Sequence, residues 1–294
     1  MDINNQFNAQ NLLKRFQLEQ FPEPEYLHVD KPILLCHGYG ALASMLNKKS
    51  PLYDVCMFLR SHGVLCFAPN VVPYAKIEIR AEHWKQIIET ICEQTDSEKI
   101  HVIAHSMGGL DMRYACDNLG LCQYVETLTT IATPHRGASL ADFTLNAPEV
   151  IRKNLTAFTD WIADYIFPDE KSDTHGALHQ LSTSYVKQHF NSANGGISGL
   201  PSYSFSAAVG KGTDHSVSNL LKYQNSIIYE REGINDGFVS VESAKWAKHI
   251  KTIELSHLEQ IKINISKDRI PIWENFWLDV VKNLARKKPE SETP

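Results

Sequence analysis

Three side chains carry a hydroxyl, an imidazole and a carboxylate at points where extended apolar runs break off: Ser106, His257 and Asp236. A serine hydroxyl is a poor nucleophile until a neighbouring base takes its proton, and an imidazole serves as that base when an acid fixes its tautomer. The surroundings of Ser106 suit the first role. The stretch Ile100-His101-Val102-Ile103-Ala104-His105-Ser106-Met107-Gly108-Gly109 reads as strand, sharp turn and helix start. A serine on such a turn needs small neighbours, and Ala104 and Gly108 supply them. The helix beginning at Met107 aims free N–H groups, and the positive end of its dipole, at any oxyanion formed on a carbonyl attacked by Ser106.

Acyl transfer needs a second N–H donor from a loop after an early strand. The run Ile33-Leu34-Leu35-Cys36 leads into His37-Gly38-Tyr39-Gly40, so Tyr39 is the expected second donor beside Met107. Downstream, Ile234-Asn235-Asp236-Gly237-Phe238-Val239 sets an acid on a turn, and a strand over 250–255 ends in Ser256-His257-Leu258-Glu259. Each motif alone also has a plain reading as a turn aspartate, a surface histidine or an incidental serine. Their joint order, Ser106 then Asp236 then His257, is the order such a site takes on a parallel sheet. His249 and Asp214 are the nearest competitors for base and acid. His135 and Arg136, in Thr133-Pro134-His135-Arg136-Gly137, follow a strand with no acid in the required place and read as loop-fastening residues.

The elements needed to position these groups are legible as an alternation. Strands are expected at 33–36, 64–68, 100–106, 127–132, 202–207, near Ile227, and at 250–255. Helices are expected from Pro51 to Gly63, where Leu52, Val55, Cys56 and Leu59 share a face, and over 77–94, where Ala81, Trp84, Ile88 and Ile91 do. A last helix over 271–284 carries Ile272, Phe276, Val280 and Leu284. Strands apolar on both faces and separated by helices imply an α/β architecture, a mostly parallel sheet flanked by helices, with chemistry at the carboxyl ends of the strands. The alternation breaks at 139–198, where Leu155, Phe158, Ile162, Tyr165 and Ile166 line one helical face and a second helix is expected over 178–190. An insertion there, within one domain spanning 1–294, reads as a cap or lid. An amphipathic arm around Leu12, Leu13 and Phe16 precedes the sheet.

A chain of 294 residues with 43% hydrophobic residues can bury a large core. A net charge of −5 leaves no basic footprint for nucleic acid. The 6 cysteines have neither zinc-site nor disulfide-framework spacing, which favours buried thiols. No run is long and apolar enough to span a membrane, and residues 1–20 lack a cationic start and apolar core. The expectation is a cytoplasmic protein, or one exported without a general secretory signal.

Taken together, Pro32-Ile33-Leu34-Leu35-Cys36-His37-Gly38, Ala104-His105-Ser106-Met107-Gly108-Gly109, Thr133-Pro134-His135-Arg136-Gly137, Asn235-Asp236-Gly237-Phe238-Val239 and His257-Leu258-Glu259 resemble the bacterial true lipases of the Pseudomonas/Burkholderia type. The resemblance, from about Lys31 to Leu284, implies an α/β-hydrolase fold, hydrolysis of long-chain acyl esters at a lipid–water interface, and a movable helical lid. Phospholipase, lysophospholipase or short-chain carboxylesterase activity is the alternative, and a non-catalytic binding module a further one. Ala104 stands where most members have glycine, as it does in Bacillus lipases. The resemblance also implies a structural calcium, for which Glu259 and Asp214 are the matching positions, while Ile263 falls where the family offers an oxygen. The ester chemistry itself requires no cofactor.

Overall fold

The computed structural model describes residues 26–39, 50–146, 173–195, 197 and 199–285. The amino-terminal arm, Gly40, the helical face at 155–166 and the tail from Lys287 lie outside the described residues. The strands are β1 (Ile33–Cys36), β2 (Cys66–Phe67), β3 (Ile100–His105), β4 (Val125–Ile131), β5 (Ser202–Ala207) and β6 (Lys248–Ile253). They form one sheet in the order β2-β1-β3-β4-β5-β6, and every pairing is parallel. The helices used below are α1 (Tyr53–Ser61), α2 (Ile77–Thr95), α3 (Gly108–Asn118), α4 (Ser139–Leu145), α5 (Thr174–Gln180), α6 (Lys222–Glu232), α7 (Val241–Ala244) and α8 (Ile270–Ala285).

The period of two along a strand divides the core. Ile33 and Leu35 of β1 and Ile103 of β3 face a layer with Val55 and Leu59 of α1 and Trp273, Trp277 and Val281 of α8. Leu34, Cys36, Val102 and Ala104 face the opposite layer, with Trp84 and Ile88 of α2 and Met112 and Ala115 of α3. Burial of both faces is what a parallel sheet with crossover helices demands, and it holds the central strand ends rigidly. A third apolar cluster lies over the start of α3, where Met107 and Leu110 meet Ala138, Ala141, Ala177, Leu181, Val186 and Phe190.

Four expectations change. The strand expected near Ile227 is the helix α6: Asn225 and Ile228 are its buried positions, one helical turn apart, so the adjacent pair Ile227-Ile228 does not mark a strand. The single helix expected over 178–190 is broken, because the Ser182 hydroxyl accepts the Tyr185 N–H and starts a new helical run over 183–193, with a π-helical turn at Val186–Phe190. β2 is shorter than expected, since it lies at the sheet edge and only Cys66 and Phe67 reach the β1 ladder. β6, the other edge, starts earlier, at Lys248, and exposes lysines that discourage further pairing. All 6 cysteines are free thiols. Among the described residues no helix is long and apolar enough to cross a membrane.

Candidate active site

β3 delivers the chain to Ser106, whose φ of 57° lies in the left-handed region that non-glycine residues avoid. The turn is held from three sides. The Ser106 N–H donates to Ile131 O at 2.9 Å, Thr133 Oγ1 donates to Ser106 O at 2.7 Å, and Gly109 N–H donates to the same oxygen at 3.1 Å. The glycines here are contact requirements. A Cβ on Gly38 would stand 2.6 Å from Ser106 Cβ and 2.8 Å from Met107 N, and one on Gly109 would stand 2.2 Å from Thr133 Oγ1. The loop bearing Tyr39 therefore lies against the amide of Met107, so the two expected oxyanion donors come from touching backbone segments. Among the described residues the Met107 N–H donates to no protein acceptor, and the Ser106 hydroxyl has no hydrogen-bond partner.

Asp236 lies on the turn after α6, which bridges through Asn235 to Val209 just beyond β5, and His257 lies on the loop after β6; the two meet there. His257 Nδ1 donates to Asp236 Oδ2 at 2.7 Å, and the His257 N–H donates to Asp236 O at 2.9 Å. The other carboxylate oxygen, Oδ1, accepts the N–H groups of Phe238 at 2.9 Å and Val239 at 2.8 Å, the capping pattern of an aspartate on its own turn. Gly237, with φ of 98°, makes that turn possible. Asp236 is fully buried and His257 nearly so. The His257 ring rests between Phe238, centroids 4.9 Å apart, and His105, 4.5 Å apart. His105 directly precedes Ser106, so the imidazole abuts the turn that carries the hydroxyl. A hydroxyl, an imidazole oriented by a carboxylate and two nearby amides are the parts of a nucleophilic acyl-transfer site, whose hydroxyl-to-base contact commonly tightens only with substrate bound.

Residues 31–218 match the alpha/beta hydrolase fold family. The chain belongs to the alpha/beta hydrolase family. The hydrolase is 30% identical over 257 residues to triacylglycerol lipase 2 of Saccharomyces cerevisiae, covering 78% of this chain and 72% of that protein. It is 31% identical over 115 residues to the triacylglycerol lipase of Burkholderia plantarii, covering 38% of this chain and 32% of that one. The crystal structure of Staphylococcus hyicus lipase superposes with a TM-score of 0.70 at 16% identity, over 90% of this chain and 98% of that chain. The protein is thus a lipase-type member of the family.

Two residues of the hydrolase that sequence reasoning passed over hold the Tyr39 loop. Arg80 of α2 and Asp111 of α3, both fully buried, pair through Nε and Oδ2 at 2.9 Å. The remaining guanidinium nitrogens donate to His37 O at 2.6 Å and Val72 O at 2.7 Å, and Trp84 Nε1 donates to Asp111 Oδ2 at 3.2 Å. The signal was present: Arg80 falls on the same helical stripe as Ala81, Trp84 and Ile88, where a charge needs a partner. Burial drives the Asp111 carboxyl up to about 6 against the pull of Arg80, and it drives the His37 imidazole down to about 3, with Arg80 adding to the effect. His37 is accordingly neutral; its Nδ1–H donates to Gly38 O at 2.9 Å and its Nε2 accepts the Val71 N–H at 3.1 Å.

The remaining candidates are elsewhere. His135 accepts from Arg113 Nη1 at 3.3 Å, donates to Thr130 Oγ1 at 3.1 Å and stacks on Trp246, while Arg136 donates to the Lys245 and Glu242 carbonyls. Both fasten their loop as the sequence suggested. His249 is engaged with Ser204 and Ser206 on β5, and Asp214 is exposed, so neither enters the Asp236–His257 pair. The calcium positions do not assemble. Glu259 Oε1 accepts Arg269 Nε at 2.6 Å and Oε2 accepts the Ser256 N–H at 2.7 Å, so a guanidinium already stands where a cation would bind. Among the described residues no group of three potential metal-binding side chains forms, and the donor set does not fit a hard cation that wants several free oxygens.

Proposed function

We propose that the protein is a serine carboxylic ester hydrolase acting through an acyl-enzyme on long-chain acylglycerol esters, with Ser106 as nucleophile, His257 as base and Asp236 as the acid that orients it. As Ser106 Oγ bonds to the ester carbonyl carbon, its proton passes to His257 Nε2, and the oxyanion accepts from the amides of Met107 and Tyr39. The bond to the leaving alcohol then breaks as His257 returns the proton to that oxygen, leaving an acyl ester on Ser106. Water, deprotonated by the same imidazole, attacks this ester; the acyl–Oγ bond breaks as His257 returns that proton to Ser106 Oγ, and the carboxylic acid leaves. The observation that carries the reading is the 2.7 Å Asp236–His257 bond set against the strained turn of Ser106.

The substrate class rests on the triacylglycerol lipases among the relatives and on the insertion at 139–198, read as a cap within one domain. Its described parts pack on Met107 and Leu110, directly over the start of α3, and Asp142 of α4 ties it together by accepting from Thr183 N–H at 3.1 Å and Oγ1 at 2.7 Å. Within the family, the Pseudomonas/Burkholderia type is supported by the shared motifs, and the Arg269-filled calcium position sets this chain apart from it. The test is turnover of nitrophenyl esters across a chain-length series. Decanoyl esters should be cleaved better than butanoyl ones, and Ser106→Ala should abolish both in a folded sample. Preference for acetyl and butanoyl esters would defeat the lipase reading, and full activity in Ser106→Ala would defeat the nucleophile.

A further inference from the structure

Gln260 is fully buried beside the apolar layer that α8 packs on the sheet, where an unpaired amide would be costly. Its polar atoms are all engaged. Nε2 donates to Asp236 Oδ2 at 3.1 Å, the same oxygen that accepts from His257 Nδ1, and Oε1 accepts from His105 Nε2 at 3.0 Å. Its backbone carbonyl accepts both indole N–H groups of α8, Trp273 and Trp277, each at 3.0 Å, and its own N–H donates to Ser256 O at 3.1 Å. The amide is therefore anchored by the last helix at one end and spans two parts of the site at the other.

From this geometry we propose that Gln260 is a positioning residue for the hydrolysis, fixing the rotation of the Asp236 carboxylate and joining it to the ring that precedes the nucleophile. The argument rests on the triad reading above. Backbone amides of Phe238 and Val239 hold Oδ1, which leaves the carboxylate one soft torsion about Cβ–Cγ. A second donor on Oδ2, independent of His257, removes that freedom and keeps Oδ2 in line with the imidazole before any substrate arrives. The amide can be oriented in only one sense, because a carboxylate accepts and cannot donate. Oε1 must then face His105, which is thereby held as the Nε2–H tautomer with its ring 4.5 Å from that of His257. Burial, with His257 next, keeps His105 well below the usual imidazole range, so no second cation stands beside the imidazolium formed during turnover.

The test uses Gln260→Met, which preserves bulk and removes the bonds to Asp236 and His105 along with the one Nε2 donates to Leu255 O at 3.4 Å, and Gln260→Glu, which preserves shape but sets a second carboxyl group beside Asp236. Kinetics on nitrophenyl butanoate are read from samples whose circular dichroism matches the parent. Losing a bond to a charged group predicts a fall in kcat of roughly 10- to 100-fold for Gln260→Met, with KM within about twofold of the parent. In Gln260→Glu the new carboxyl group and Asp236 share a proton about 3 Å from each other, and loss of that proton beside His257 adds an ionisation that moves the acid limb of kcat/KM away from that of the parent. A merely structural glutamine would alter the melting temperature and leave kcat of folded Gln260→Met at the parental value. Parental kcat in folded Gln260→Met overturns the proposal, and should that variant not fold, an unmoved acid limb in Gln260→Glu does so. Full activity in Ser106→Ala would instead strike the triad reading and leaves these outcomes separable from it.

Discussion

The two halves of the rim are built by different physics. On the Ser106 side the parts are held by backbone against backbone: Gly38, Gly108 and Gly109 sit where any side chain would collide with Ser106, with the carbonyls of Cys36 and His37, or with Thr133. On the Asp236–His257 side the groups sit on a glycine turn and on the loop after β6, and side-chain hydrogen bonds set the geometry of carboxylate and ring. The first half tolerates almost no change in shape, and the second almost no change in hydrogen-bonding pattern. A nucleophile must be held in a strained conformation, for which close packing suffices. A base must be held in one tautomer and orientation, for which donors and acceptors are needed.

Substitutions that alter one property at a time sharpen this contrast. The largest effect is expected from Asp236→Asn, which preserves shape and reverses a hydrogen bond: kcat should fall by about 10⁴ with the melting temperature little changed, as read by esterase kinetics and calorimetry. Next is Arg80→Met, which leaves the Asp111 carboxylate buried without its partner and should cost roughly 3–5 kcal/mol in denaturant unfolding. Adding Asp111→Leu to it should restore much of the stability but not kcat, because His37 O still lacks its clamp.

A smaller effect concerns pH. His37, His105 and His135 are all depressed from an ordinary value near 6.5, chiefly by burial. Each stays neutral in the folded chain while the unfolded chain takes up a proton, so its stabilisation is complete above pH 6.5 and is lost as pH falls below it, down to about 3 for His37. The slope approaches about 1.4 kcal/mol per pH unit for each histidine, and the carboxyls that burial raises, Asp111 to about 6 and Asp117 also upward, oppose it. The melting temperature should therefore drop steadily between pH 6.5 and 5, and a flat profile would show these rings to be solvated. The smallest effect is expected from calcium chelation. With Arg269 on Glu259, excess chelator should shift neither melting temperature nor kcat, and a loss of activity restored by calcium would place a metal near His257.

The same contrast explains what could be read from sequence. The Ser106 half depends on small residues close in the chain, so Ala104, Gly108 and the His37-Gly38 loop announce it. The positions of the central strands were legible as well, because burial of both faces writes itself as continuous apolar runs such as Ile33-Leu34-Leu35-Cys36. Gln260, Arg80 and Asp111 were not found, since their roles lie in partners far away in the chain: Gln260 with Asp236 and His105, Arg80 with Asp111 and His37. The misread strand at Ile227 has a related cause. Adjacent β-branched residues favour a strand locally, whereas α6 is set by which positions, Asn225 and Ile228, meet the body of the fold.

The most direct measurement is the reaction of the folded protein with an alkyl fluorophosphonate, followed by peptide mass mapping. Ser106 should carry a single phosphonyl adduct, formed rapidly in the parent and at least about a hundredfold more slowly in Asp236→Asn, where the imidazole is held in the wrong tautomer. An adduct on another serine, or a labelling rate indifferent to Asp236, would contradict the assignment of this rim as the place where the acyl group is transferred.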